Sequence, residues 1–365
     1  MCTVREIAKA AGVSPSTVSR VINNSPKVTE KTRQKVIQVM QQYGYVLPRQ
    51  AKTINGTEEN FAGLSLPSLP LGCVIANPTQ SLATDHFFVD VVGGAMNYLQ
   101  SIGRQLILEA TNGNFSGMSS LPAMLKERSV QGLIVGGVPM TDDYIFALLN
   151  TKIPSVFIGR YLQDGKELTA VIPDNIIGGY IAGRHLLDCG YQDFFFMGGS
   201  LQVNTFRDRL EGFRRALKEQ GLSLASENII ESDINQDGGY LAMKKIFEKI
   251  QKKGRTGIFA STDWMAGGVI RFLSEAGYNI PAEAGVVGYS DLELSSHFFP
   301  SITTVRINRR TLGYLAARTL VDVITGRITC PVQIYLQPSL VIRESTGCSS
   351  SIKGDIKIDK RRYKK

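Results

Sequence analysis

Between Ser14 and Arg20 the chain concentrates short hydroxyl side chains and one guanidinium: Ser14-Pro15-Ser16-Thr17-Val18-Ser19-Arg20. Hydroxyls donate to phosphate oxygens, and arginine also bridges the acceptor edge of guanine, so the chemistry implied is contact with duplex nucleic acid. Such a set works only if one helix presents it. The run Thr3–Asn23 contains two short helical patterns broken at Gly12-Val13, each opening on a hydroxyl residue. Thr3 precedes Glu6 at the capping-box spacing. Ser14 precedes Pro15, which suits the first turn because its missing N–H would be unpaired there. Two helices joined by a tight glycine turn make a helix-turn-helix, whose second helix enters the major groove by its N-terminal end.

Charge points the same way. Residues 1–54 hold nine Lys/Arg against Glu6 and Glu30, and residues 353–365 hold seven against Asp355 and Asp359. The whole chain carries +9, so the +7 and +5 of its ends leave −3 for residues 55–352. A localised basic head is the footprint of phosphate contact. The basic tail, 346–365, lacks apolar periodicity and is expected to be disordered. A third helix follows the first two: Val36, Ile37, Val39 and Met40 recur at helical spacing behind the candidate cap Thr29. They should pack on Ile7, Ala8, Val18 and Val21, closing a head over residues 1–45. Residues 46–70 then read as a short helix, Gly44–Ile54, and a linker.

At 365 residues, 43% hydrophobic and 20% charged, the chain has room for two or three globular domains. No apolar run approaches the ~20 residues that span a bilayer. The N-terminus is a charged motif instead of a leader, so a cytoplasmic protein without membrane contact is expected. Five cysteines, Cys2, Cys73, Cys189, Cys330 and Cys348, are odd in number and scattered. That argues against a zinc site and a disulfide framework; no metal and no cofactor are expected. Catalytic signatures are missing too. There is no Gly-x-Gly-x-x-Gly, no Gly-x-Ser-x-Gly, and no nucleophile pattern around His86, His185 or His297.

Residues 71–345 alternate short apolar runs with amphipathic stretches. The runs are Leu71–Ala76, Gln105–Leu108, Gly132–Val135, Ser155–Ile158, Phe194–Met197, Ile229–Ile230, Gly257–Ala260 and Val286–Val287. The stretches are Phe87–Ile102, Ile176–Leu187, Arg207–Gln220, Tyr240–Ile250 and Asp263–Ala276. Strand–helix alternation predicts parallel sheets wrapped by helices, here two units of five or six strands. Ligands in such folds sit outside the C-terminal strand ends, which means a cleft between two lobes.

The motifs Ile7-Ala8-x-x-Ala11-Gly12-Val13-Ser14-x-x-Thr17-Val18-Ser19-Arg20-Val21-Ile22-Asn23 and Val28-Thr29-x-x-Thr32-Arg33 resemble the lactose/galactose-repressor family of bacterial transcription regulators. So do Asp174-Asn175-x-x-Gly178-Gly179, Arg209-x-x-Gly212-Phe213, Asp263-x-Met265-Ala266-x-Gly268 and Val287-Gly288-Tyr289. The segment Pro300–Val305 completes a resemblance that covers roughly residues 3–345. It implies an all-α helix-turn-helix head, a hinge helix and an α/β two-lobed body like the periplasmic sugar-binding proteins. It also implies a homodimer on a near-palindromic double-stranded operator, controlled by a small-molecule effector, with repression the commoner behaviour.

Carried over residue by residue, the resemblance places Pro15, Ser16 and Arg20 against base edges. It places Ser14, Thr17, Ser19, Asn23, Thr29 and Thr32 against phosphates, with Tyr45, Arg49 and Ala51 completing the DNA-binding set. Ala51-Lys52-Thr53-Ile54 is similar to the family's hinge motif, whose last residue, here Ile54, wedges into a minor-groove step. The chain departs at Leu47-Pro48, where the family has Pro-Asn. For the effector the resemblance implies Phe88, Arg160, Thr205, Arg209, Ile234, Asp263, Ser290 and Asp291. Ser290 and Gly159 stand where acids are usual and Thr262 where asparagine is, which weakens a sugar assignment and better tolerates an anionic metabolite, so the effector is expected to be a sugar or an anionic metabolite. A protein co-regulator in place of a metabolite, or a solute-binding protein, are the alternatives. Helix Phe87–Ile102 and the patch Ile270–Leu273 are the candidate dimer faces.

Overall fold

The computed structural model describes residues 4–22, 28–29, 32–36, 39, 69–76, 85–161, 168–250 and 254–348. The chain divides into two compact units, Met1–Leu64 and Ser65–Lys365. In the first, α1 (Val4–Ala11) and α2 (Pro15–Ile22) are separated by Gly12 at φ +64°, a left-handed turn that glycine adopts without strain. The Val13 amide closes that turn onto the Ala8 carbonyl at 2.9 Å. Ala8, Ala11, Val18 and Val21 bury themselves against Val36 of α3 (residues 32–36), with Val13, Val28 and Val39 at the rim. The expected three-helix core is therefore present. Its other expected members, the side chains of Ile7, Ile37 and Met40, lie outside the described residues, as do Thr3 and the whole candidate hinge helix.

The second unit holds two six-stranded sheets. The first runs β11-β5-β4-β3-β1-β2 and is parallel throughout: β1 (Leu71–Ala76), β2 (Leu106–Thr111), β3 (Leu133–Gly137), β4 (Ser155–Ile158), β5 (Ala170–Pro173) and β11 (Gln333–Leu336). The second runs β12-β10-β9-β8-β6-β7: β6 (Asp193–Gly198), β7 (Ile229–Glu231), β8 (Thr256–Ala260), β9 (Ala284–Ser290), β10 (Thr303–Arg306) and β12 (Ser339–Val341). Here the expectation of purely parallel sheets fails at one edge, because β12 pairs antiparallel with β10. Central strands such as β1 and β8 are buried along their whole length, which explains their unbroken apolar sequence. The chain crosses between lobes three times: after Pro173, between Arg306 and Arg309, and between Leu336 and Ser339.

Eight helices cover these sheets: α4 (His86–Ser101), α5 (Ala123–Lys126), α6 (Asp142–Asn150), α7 (Asn175–Asp188), α8 (Asn204–Lys218), α9 (Gln236–Ile250), α10 (Asp263–Glu275) and α11 (Arg309–Ile324) among the described residues. Six of them pair through reciprocal glycines. A Cβ on Gly94 of α4 would meet the Arg310 carbonyl oxygen at 1.9 Å, and one on Gly313 of α11 the Val91 oxygen at 1.7 Å. Gly179 and Gly212 relate α7 to α8 in the same way, and Gly239 and Gly268 relate α9 to α10. Only a residue without a side chain lets two helix backbones approach so closely. Ile270 and Leu273 turn inward on α10 and are buried in the second lobe's core, so they offer no dimer face. The body also continues beyond the expected boundary at 345, since Thr346 is fully buried. No described helix is long and apolar enough to cross a membrane.

Candidate functional site

In the head, the side chain of Ser14 caps α2 by accepting the Thr17 amide at 3.2 Å. Its Oγ also lies 2.8 Å from Ser16 Oγ and 2.8 Å from Thr17 Oγ1, so three hydroxyls cluster at the positive end of the helix. Ser14, Pro15, Ser16 and Arg20 are exposed and Thr17 is half-buried. No acid occupies the first turn of α2. Exposed Thr29 opens the third helix, accepting the Arg33 amide on its carbonyl at 2.9 Å, and its hydroxyl meets that of Thr32 at 2.9 Å. The side chain of Ser19, and Asn23, Tyr45, Arg49, Ala51 and Ile54 altogether, lie outside the described residues.

In the body, a cavity forms where the N-terminal turns of α4, α8 and α10 converge with the ends of β3, β4 and β9. Phe88, Thr205, Arg209, Ile234 and Ser290 all line it. Asp85 caps α4, its Oδ1 accepting the amides of Phe87 and Phe88 at 3.2 Å each, and this fixes Phe88 at the mouth. Arg209 is buried. Its Nε donates to Asn175 Oδ1 at 3.0 Å, Nη1 donates to the Ser261 carbonyl, and the guanidinium lies 3.6 Å over the Tyr289 ring. Tyr289 donates its own hydroxyl to the same Asn175 oxygen at 3.0 Å. Burial pushes the Tyr289 phenol up to about 12, so it remains a donor.

Arg160, Asp263 and Asp291 do not line the cavity. Arg160 instead reaches across the cleft to an ion pair with Asp208 of α8, while Asn204 donates to the Arg160 carbonyl at 3.1 Å. Asp263 has no exposed surface; it accepts Thr304 Oγ1 at 2.5 Å and the Leu292 amide at 2.8 Å. Burial raises its pKa, and those hydrogen bonds oppose the rise. Asp291 is held outward between Arg306 Nε and Arg343 Nη2, both at 2.6 Å. Partial burial would raise that carboxyl, but the two arginines outweigh it and hold it below the usual carboxylate range. What turns Asp291 away is the backbone: Ser290 and Asp291 both take left-handed conformations, φ +113° and +52°. Trp264, Phe206, Tyr289 and Asn175, which the sequence reading passed over, line the cavity in their place. Trp264, the chain's one tryptophan, was the available signal.

The five scattered cysteines, expected to form no disulfide framework, include one bonded pair. Cys189, the residue after α7, is disulfide-bonded to Cys348 with Cα atoms 5.7 Å apart. His185, one turn earlier, places Nε2 3.5 Å from Cys189 Sγ and 3.9 Å from Cys348 Sγ. Burial pulls this imidazole down to about 4. The 159-residue separation hides the pairing from any local pattern.

A helix-turn-helix unit joined to a two-lobed body with a central ligand cavity defines a DNA-binding regulator under small-molecule control. Residues 3–47 match the model of "Bacterial regulatory proteins, lacI family", and residues 184–346 match "Periplasmic binding protein-like domain". The chain is 31% identical to "HTH-type transcriptional repressor PurR" of Proteus mirabilis over 349 residues, covering 95% of this chain and 97% of that protein. The same-named protein of Yersinia enterocolitica is also 31% identical, over 352 residues, 95% of this chain and 97% of that protein. Among solved structures, a "transcriptional regulator CelR-cellobiose complex" superposes with TM-score 0.70 at 28% identity, covering 94% of this chain and all of that one. The lac repressor dimer bound to operator and the anti-inducer ONPF superposes with TM-score 0.66 at 26% identity, over 94% and 99% of the two chains. The chain belongs to the lacI family of bacterial regulatory proteins. It is a transcriptional regulator and not an enzyme.

Proposed function

We propose that this protein is a cytoplasmic repressor that binds a near-palindromic operator as a homodimer and changes its affinity when a planar, hydrogen-bond-accepting or anionic ring compound enters the cleft. The supporting observation is the composition of the cavity wall. Among the described residues its one buried cation is Arg209 and its rings include Phe88, Phe206, Trp264 and Tyr289, whereas the one carboxylate of that set, Asp85, already caps α4. Sugar hydroxyls need carboxylate acceptors in pairs. A flat ring needs apolar faces and one fixed donor, which this wall provides. Pro15, Ser16 and Arg20 read base edges, Ser14, Thr17, Ser19, Asn23, Thr29 and Thr32 hold phosphates, and Ile54 is the wedge. The head spans 1–45, the hinge and linker 46–70, and the effector body 71 to Cys348.

The homodimer face is the outer side of α4 with the edge strand β2. Val89, Met96, Ile107 and Leu108 are exposed there, an apolar set that a solvated surface does not favour. Two linked heads then gain by effective concentration what one head lacks in contacts. The test is a thermal-shift panel of nucleobases, aromatic acids, phosphosugars and neutral sugars, followed by operator titration with each stabilising compound. A bound ligand raises stability by RT ln(1 + [L]/Kd). Stabilisation by neutral sugars alone refutes the ligand class, and silence across the panel with intact operator binding favours a protein co-regulator.

A further inference from the structure

Outside the cleft, the one place where sulfur and imidazole ligands meet is the His185–Cys189–Cys348 cluster among the described residues. We propose that this cluster, once its disulfide is reduced, is a binding site for one thiophilic divalent cation of the zinc type. Neither the family relationship nor the ligand cleft calls for it.

Two features of the local structure carry this. First, the spacing is that of a coordination sphere. With Zn–S near 2.3 Å and Zn–N near 2.0–2.1 Å, tetrahedral ligands sit roughly 3.5–3.8 Å apart. His185 Nε2 already lies 3.5 and 3.9 Å from the two sulfurs. Two of the ligands share one helical face at i and i+4, so α7 sets their separation rigidly. Second, the strap bearing the third ligand is anchored independently of the disulfide. Ser345 Oγ accepts the Thr303 amide at 2.8 Å and donates to the Val286 carbonyl at 2.6 Å. Tyr191 donates its hydroxyl to the Thr346 carbonyl at 3.1 Å, and Thr346 Oγ1 lies 2.9 Å from Thr303 Oγ1. Cutting the sulfur–sulfur bond therefore leaves Cys348 beside its partners. Cys348 is only half-buried, which admits the metal and a water as fourth ligand, while His185 and Cys189 are buried.

The chemistry balances. A phosphine reductant and one water convert the disulfide to two thiols, the oxygen ending on phosphorus and the two hydrogens on sulfur. The cation then releases both thiol protons to solvent and takes the place of the Thr346 hydroxyl at His185 Nε2, forming two metal–sulfur bonds and one metal–nitrogen bond, while that hydroxyl keeps Thr303 Oγ1 at 2.9 Å. The sulfurs part to about 3.8 Å, which a rotation of the half-exposed Cys348 side chain allows.

The test uses the full chain, reduced and freed of reductant without air, titrated with Zn²⁺ against a chromogenic chelator and with Co²⁺ as spectroscopic probe. One equivalent per chain is expected, with a sulfur-to-cobalt charge-transfer band. Cys348→Ser and Cys189→Ser should each weaken binding at least about 100-fold, and the disulfide form should bind none. Cys330→Ser, remote and exposed, should bind like wild type. Cys348→Ser is too peripheral to unfold the chain, so its result stands even if Cys189→Ser folds poorly. If reduced wild type takes up no more metal than Cys348→Ser, or cobalt shows no sulfur band, the site does not exist.

Discussion

Gly212→Ala tests whether the helix pairs of the body are set by glycine-limited approach. The new methyl would sit 1.9 Å from the Ile176 carbonyl oxygen and 2.7 Å from the Tyr180 amide. Carbon–oxygen contacts settle near 3.3–3.6 Å, so α7 and α8 must separate by about 1.5 Å. Separation stretches the 3.0 Å bond between Arg209 on α8 and Asn175 on α7 beyond hydrogen-bonding range. Overpacking costs about 1–3 kcal/mol and the charged hydrogen bond about 1.5–3, while replacing a helical glycine returns about 1. The net loss is roughly 1.5–5 kcal/mol, a fall in Tm of about 3–9 °C for a body this large. Gly179→Ala makes the reciprocal clash, 1.9 Å from the Arg209 carbonyl oxygen. Because one separation relieves both clashes, the double variant should lose less than the sum of the singles, by about 1 kcal/mol or more. Circular dichroism melts of the four proteins decide it. A Gly212→Ala protein that melts with wild type, or strictly additive losses, would refute the reasoning.

Three further outcomes are expected. Arg20→Ala should weaken binding to a specific operator by about 1–3 kcal/mol while leaving nonspecific DNA binding nearly unchanged; equal losses in an anisotropy titration would make Arg20 a phosphate anchor only. Asp263→Ala leaves the Thr304 hydroxyl and the Leu292 amide unpaired in the interior and should cost about 2–5 kcal/mol in urea denaturation, with Asp263→Asn recovering part. His185 titrates near 6.5 when unfolded and near 4 when folded, so the unfolded chain takes up its proton first. Stability is then level above pH 6.5 and falls between 6.5 and 4 by up to about 3 kcal/mol, a slope that His185→Gln should flatten.

The head was legible because its signals are local: a capping serine, a proline in the first turn and a glycine turn all act within a few residues. Buried strands were legible as apolar runs for the same reason. Four strands escaped, and the sequence shows why. β5 is four residues ending in Pro173, β10 is Thr303-Thr304-Val305-Arg306 with a single aliphatic residue, and β11 and β12 are half-exposed edges with little apolar signal. Neither α6 nor α11 was read from the sequence, although Leu312, Ala316 and Leu320 of α11 recur at helical spacing. Site residues divide along the same line. Phe88, Thr205, Arg209, Ile234 and Ser290 reach the cavity because helix starts and strand ends place them there. Where Arg160 and Asp263 point is decided by Asp208 and Thr304, partners 48 and 41 residues away in sequence, and Asp291 is turned out by its positive-φ backbone and then held by Arg306 and Arg343, 15 and 52 residues away. No local pattern encodes such a choice.

The glycine crossings and the cleft are one design. Helices α4, α7, α8 and α10 all present their first turns near the cavity, and each is fixed to a neighbour at a backbone-to-backbone crossing. Pairs held that closely move as rigid bodies, so ligand binding must be expressed at the connections between lobes. Arg309 is the connection best placed to register it. Its Nη2 and Nε hold Asp90 of α4 at 2.9 and 3.0 Å, and its Nη1 donates to the Ser290 carbonyl and, at 3.1 Å, to that of Asp291. Ser290 also lines the cavity, and its left-handed backbone has little freedom to relax. A ligand that shifts Ser290 therefore shifts a carbonyl that Arg309 ties, through its bonds to Asp90, from one lobe to the other.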